Sequence, residues 1–250
     1  MKRLLIAKTK ATTIHLLISV AVILVFLLLL KNLWYPGPLF KIENVWQGLQ
    51  ILIPVDAVLG PILTFIIFKP GKKSLKLDLS IIGGLQLAAL LYGGLIIYQQ
   101  RPVLFTFVVD RFETVLASDG VLENINQDRL IKQKAGPIYL TYALPAQNDQ
   151  ERQDFLFNGV QFKKLPERHY PLKDYMDQIA AKSLELERFN PKDANHPILE
   201  EFRKTYDAEN TLLLKLQAST GETIVVAINK NTSQIINYLD IDPWEEYSSR

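Results

Sequence analysis

Asp56 stands near the centre of an apolar stretch running from about Trp46 to Phe68, the right length to cross a bilayer. A charge at that depth costs roughly 2.5 to 3.5 kcal/mol on insertion scales, so a carboxylate there faces a partner, a cavity or a pathway. Three uses are open to it: a proton or ion pathway, a polar contact with a helix of another protein, or a structural contact inside its own bundle. Pro54 and Pro61 bracket it, and Gly60 adds a third helix-weakening position. Gln86, in the next apolar stretch, is a candidate hydrogen-bond partner for it.

Other chemistry is sparse. The chain has 3 histidines and no cysteine, which excludes disulfides, thiolate metal sites and a cysteine nucleophile. His15, His169 and His196 lack metal-ligand spacing, and neither a phosphate loop nor a nucleophile elbow occurs. No catalytic, cofactor-binding or metal residue is therefore expected, and the chain is read as a non-enzyme. His15 reads as a helix-interface residue. The segment KPGKK contributes Lys72 and Lys73 in a tight basic turn, which sets topology, contacts lipid headgroups or docks a cytoplasmic protein.

These residues need elements to position them. The apolar runs at about residues 11–30, 46–68 and 77–98 are each long enough to span a membrane. The first is read as an uncleaved span, because it exceeds a usual signal core and lacks a small-residue cleavage pattern. A prepilin-type leader would need a glycine before an apolar run with an early glutamate, a pattern not seen here, so the chain is not expected to be a pilin subunit itself. Secondary transporters carry inverted repeats, which are absent here. The third run carries Gly83, Gly84, Ala88, Ala89, Gly93 and Gly94, a surface suited to close helix packing.

Charge divides the chain. Residues 1–100 hold 10 basic and 3 acidic residues, whereas residues 101–250 hold 18 basic and 23 acidic. An acidic second half argues against nucleic acid as a partner. The basic residues of the first half cluster before the first run and between the second and third, which makes both places cytoplasmic. Trp34, Tyr35, Trp46 and Tyr98 then fall in an interfacial belt on the outer side. Three spans deliver residues 101–250 to the extracytoplasmic side, as a domain large enough for its own core.

In that half, Val103–Val109 and Ile138–Leu144 read as strands and Asn124–Lys134 as a short helix. Leu172–Phe189 has helical periodicity, and a further short helix covers Pro197–Tyr206. From Leu212 three β-rich segments, broken at Ser219–Glu222 and Asn229–Thr232, predict an antiparallel meander. The expected fold is thus a membrane protein: three N-terminal transmembrane helices in residues 1–100, then an extracytoplasmic α+β domain in residues 101–250.

The run VDAVLGPILTFIIFKPGKKSLKLDL, a glutamine-bearing third span, YQQRPV, the VDRFE element and the closing LDIDPW form an ordered series. That series resembles the type IV pilin accessory proteins of the TfpX/TfpZ family over nearly the whole chain. The resemblance implies a multi-pass bacterial inner-membrane protein that aids assembly, display or dynamics of type IV pili. Its implied partners are the major pilin and inner-membrane assembly components, with no cofactor. It supplies no catalytic site, so Asp56, Lys72, Lys73, Asp110, Arg111 and Trp244 are carried over as motif positions only. The other reading is a membrane-anchored periplasmic ligand-binding or scaffold protein unrelated to pili.

Alkaline phosphatase fused after Arg101 should be active and β-galactosidase fused there inactive. The reverse pattern would invert the expected orientation.

Overall fold

The computed structural model describes residues 1–134, 136–186 and 197–243. In chain order its α-helices are α1 (Lys2–Leu29), α2 (Leu39–Ile42), α3 (Val45–Pro54), α4 (Gly60–Ile67), α5 (Leu75–Gln99), α6 (Asp149–Phe157), α7 (Met176–Ala180) and α8 (Pro197–Thr205). Its strands are β1 (Pro102–Val108), β2 (Arg111–Leu116), β3 (Ile131–Lys132), β4 (Tyr139–Ala143), β5 (His169–Tyr170), β6 (Thr211–Gln217), β7 (Thr223–Asn229) and β8 (Ile235–Leu239). Two compact units result, one of Met1–Trp34 with Asn44–Gln99, the other of Tyr35–Glu43 with the described residues from Gln100 onward.

The first unit is helical. A π-helical turn, Leu30–Trp34, extends α1, and another, Val55–Leu59, joins α3 to α4. Among the described residues this gives three helices long and apolar enough to cross a membrane, Lys2–Trp34, Val45–Ile67 and Leu75–Gln99. The first and third pack chiefly on the second. Glycine permits one close approach, since a Cβ at Gly93 would stand 2.9 Å from Leu52, while Gly94 faces Phe26 and Gly48 faces Ile97 at ordinary contact distances. Trp34 meets Tyr98 edge-on at 4.9 Å between ring centroids. The basic turn after α4 places Pro70 and then Gly71, at φ +80°, in its two central positions. A type II turn requires that order, because its second central residue has positive φ.

The second unit is built on one eight-stranded sheet, ordered β3-β4-β1-β2-β6-β7-β8 with β5 also on β4. Strand β1 is central and buried along its whole length, so its Val and Phe residues need no polar alternation. It pairs antiparallel with β2 and parallel with β4, while β6, β7 and β8 form the expected antiparallel meander. The sheet curls until its two edges meet through glutamine side chains. Gln133 accepts from the Ile235 amide at 2.7 Å and donates to the Ser233 carbonyl at 3.2 Å. Gln234 accepts from the Lys134 amide at 3.0 Å and donates to the Lys132 carbonyl at 3.2 Å. Edge groups that would otherwise template aggregation are thereby occupied.

On one face, Leu199 and Phe202 of α8 pack on Leu213, Val225, Ala227 and Leu239. Elsewhere Val103, Leu104 and Val115 pack with Val121 and Ile125. His169 is fully buried. Its Nε2–H donates to the Lys163 carbonyl at 3.0 Å, so Nδ1 accepts from the Thr141 hydroxyl at 2.9 Å. Burial lowers its pKa to about 4, which fixes it as a neutral structural residue.

Four local expectations change. Asn124–Lys134 is not a helix but two 3-10 turns, Leu122–Asn124 and Gln127–Arg129, followed by β3. Asn126 caps the Asp128 amide, the local side-chain bonding that competes with helix continuation. The periodic segment from Leu172 yields a 3-10 turn and the short α7, because Ser183 and Leu184 turn away to bond Leu213 of β6; its last three residues lie outside the described ones. Helix α6 was not anticipated, although Asn148 caps Glu151 and Glu151 reaches back to Gln147, an N-terminal signature present in the sequence. Tyr35 is not interfacial but 2 % exposed inside the second unit, where burial and then Glu43 push its phenol pKa up.

Tyr35 belongs to a docked segment, residues 35–43, that lies between the first two long helices in sequence. Leu39 and Ile42 are buried, Thr220 donates to the Ile42 carbonyl at 2.5 Å, and Gly37 lies against Tyr238. Three large apolar side chains at about 1.5 to 3 kcal/mol each contribute several kcal/mol here. A fragment beginning at Gln100 should therefore melt about 10 °C below one to which residues 35–43 are fused by a flexible linker. Equal melting temperatures would show the docked segment to be dispensable.

Candidate functional site

The π-helical turn around Asp56 follows from its glycine and proline neighbours. The Gly60 amide bonds to the Val55 carbonyl and so skips Asp56. The next donor in a π spacing would come from position 61, where Pro61 has no N–H. The Asp56 carbonyl is thus left without a backbone donor inside an apolar helix. Pro54 ends α3 directly before the turn, and its missing N–H loosens the preceding one.

Gln86 of α5 supplies what the backbone cannot. Its Nε2 donates to the Asp56 carbonyl at 3.2 Å and to Asp56 Oδ1 at 3.3 Å. Gly60 makes this possible, since a Cβ there would collide with the Gln86 amide. The other end of Gln86 is also engaged. Its Oε1 accepts from His15 Nε2 at 2.8 Å, and His15 Nδ1 lies 2.6 Å from the Thr64 hydroxyl. With the imidazole neutral, Thr64 donates to His15, His15 to Gln86, and Gln86 to Asp56. One chain of hydrogen bonds therefore ties all three long helices together.

Asp56 is 4 % exposed and Thr64 2 %. Beside them lies a cleft of about 170 Å³ whose lining includes His15, Ser19, Asp56, Gly83 and Gln86. The groups present orient one another, with the Gln86 amide lying between the two titratable side chains, His15 and Asp56. Among the described residues no group of three His, Asp or Glu side chains is placed to hold a metal ion.

Of the residues singled out in the sequence, the structure brings Asp56, Gln86, Pro54 and Pro61 together, and adds His15. Lys72 instead pairs with Asp78 at 2.6 Å, and Lys73 is exposed on the same turn. Asp110 occupies the tip of the β1–β2 hairpin in the second unit, 2.8 Å from Arg111 and 3.2 Å from Lys215. Burial acts to raise its pKa, but those two cations outweigh it and hold the carboxyl below its ordinary value. Val109 beside it takes φ +60°, a strained conformation for a β-branched residue. Trp244 and His196 lie outside the described residues. Thr64 and Ser19 were missed, yet helical spacing carries the signal: Thr64 follows Asp56 by two turns and Ser19 follows His15 by one.

Known proteins place the chain. It is 27 % identical over 248 residues to the fimbrial assembly protein of serogroup I from Dichelobacter nodosus, covering 94 % of this chain and 96 % of that one. The serogroup E1 protein of that organism matches to the same extent. The fimbrial assembly protein of serogroups C1 and C2 is 34 % identical over 120 residues, 47 % of this chain and 92 % of its own length. The chain belongs to the fimbrial assembly protein family. No protein-family model matches it, and no solved structure does. The near full-length coverage by the first two members of this fimbrial assembly family takes in both units described above.

Gly60→Val should expel Gln86 and orphan the Asp56 carbonyl, lowering stability in detergent by about 1 to 3 kcal/mol. Gly84→Val, where a new Cβ meets nothing within 4 Å, should be near neutral. Thermal unfolding of the purified full chain compares them, and equal effects would remove Gly60 from the site.

Proposed function

We propose that this chain is an inner-membrane accessory protein of type IV pilus biogenesis, of the TfpX/TfpZ type, which holds pilin before it enters the fibre. The amino terminus and the KPGKK turn face the cytoplasm, and the second unit is periplasmic. The observation that carries this reading is the match to fimbrial assembly proteins along 94 % of the chain. The buried polar cluster gives it a physical form. Polar side chains within apolar helices strengthen helix association, and small residues allow backbones to approach. Pilins wait in the inner membrane as single-span proteins, so an apolar bundle with a polar centre suits reversible capture. The basic residues before the first long helix and between the second and third support the orientation.

Asp56→Leu should reduce piliation and pilin co-purification several-fold while the chain still inserts at its normal level. Normal piliation, twitching and pilin association in that variant would remove Asp56 from the function.

A further inference from the structure

The cleft beside Asp56 has the properties of a seat for something that this chain does not supply. Its walls are Ile18 and Val22 of α1 with Leu87 and Leu90 of α5, and its rim includes Gly83. A Cβ at Gly83 would meet nothing within 4 Å, so this glycine is not needed for packing within the chain. Two polar groups face the cleft incompletely paired. Ser19 is 6 % exposed, and its hydroxyl has no hydrogen-bond partner among the described residues. Asp56 is 4 % exposed, and of its two carboxylate oxygens Oδ1 is bonded by Gln86 at 3.3 Å, while among the described residues no hydrogen bond reaches Oδ2 and no cation pairs with the carboxylate.

A carboxylate oxygen that faces the cleft without a partner, with the Ser19 hydroxyl on the same lining, calls by charge for a cationic donor. A volume of about 170 Å³ holds one long side chain and not a helix. Lipid headgroups lie at the interface, far from the middle of a membrane-crossing helix. A second copy of this chain is a poor source. It has no lysine or arginine between Lys10 and Lys31, between Lys41 and Lys69, or between Lys76 and Arg101.

We propose that this cleft receives one cationic side chain from an apolar membrane helix of a second protein, which crosses over Gly83 and directs that group toward Asp56 and Ser19. The proposal rests on the reading above, in which that helix is the pilin's. Gly83 gives the closest approach of the two backbones, while Ile18, Val22, Leu87 and Leu90 pack around the incoming side chain. Docking completes the hydrogen bonds of Asp56 and Ser19 without breaking the one from Gln86.

Gly83→Leu and Gly84→Leu form a matched pair, because each new side chain starts in open space and only Gly83 lines the cleft. Each full-length variant is expressed with its pilin, quantified in membranes, checked for thermal stability, and scored for pilin co-purified in mild detergent. Gly83→Leu should lose at least ten-fold of the pilin at an unchanged membrane level, and Gly84→Leu should retain it. A photo-crosslinker at position 83 should join the chain to pilin. Wild-type capture by Gly83→Leu would overturn the seat while leaving the pilin reading intact. Absence of pilin from the wild-type preparation would overturn that reading and the seat with it. Crosslinking at position 83 only to a second copy of this chain would also overturn the seat.

Discussion

One peptide carbonyl, that of Asp56, constrains the helical unit more than any other group. An unsatisfied backbone group in hydrocarbon costs several kcal/mol, whereas a hydrogen bond between membrane helices contributes only about 0.6 to 1.7 kcal/mol net. The asymmetry matters more than the bond itself. Once the π spacing and Pro61 have removed every backbone donor, the third long helix must lie where Gln86 reaches the second. Gly60 must then be glycine, and His15 must approach from the first helix to fill the remaining side of Gln86. The arrangement of three helices is therefore specified at its centre by polar satisfaction, within a bundle whose other contacts are mostly apolar, Lys8 Nζ donating to the Ile66 carbonyl at 3.0 Å being an exception.

The same logic bears on function. π-helical turns cluster at functional sites because they free backbone groups and re-aim side chains. Here the turn commits the Asp56 carbonyl to Gln86 and leaves part of the carboxylate facing a cleft with Ser19. The second unit solves a comparable problem differently, with Gln133 and Gln234 closing the sheet edges and the docked segment 35–43 covering its apolar surface. Asp110, Arg111 and Lys215 form a separate charged cluster at one hairpin tip.

The three long helices were legible because runs of some twenty apolar residues have few alternative meanings. The meander was legible too, since β-branched residues flank turn residues at Ser219–Glu222 and Asn229–Thr232. Asp56 stood out by cost alone. Its bond to Gln86 was a candidate that only the packing of α5 could decide, and the role of Gly60 needed three dimensions. Thr64 and Ser19 were hidden because lone hydroxyls in apolar runs are common. In the second half, the 3-10 turns and the early end of α7 depend on Asn126 and Ser183, whose side chains override a helical pattern. Nothing in residues 35–43 announced that they belong to the second unit, because burial of Leu39 and Ile42 is set by partners distant in sequence.

The most direct test is a double-mutant cycle on Pro61→Ala, which returns an N–H at the π spacing from the Asp56 carbonyl, and Gln86→Leu, which removes its side-chain donor, read as unfolding free energy of the full chain in a bilayer mimetic. The account predicts a coupling of about 0.5 to 1.7 kcal/mol, Gln86→Leu costing less in the Pro61→Ala background than alone. Additivity within about 0.3 kcal/mol would contradict it, because Gln86 would then not be satisfying the Asp56 carbonyl.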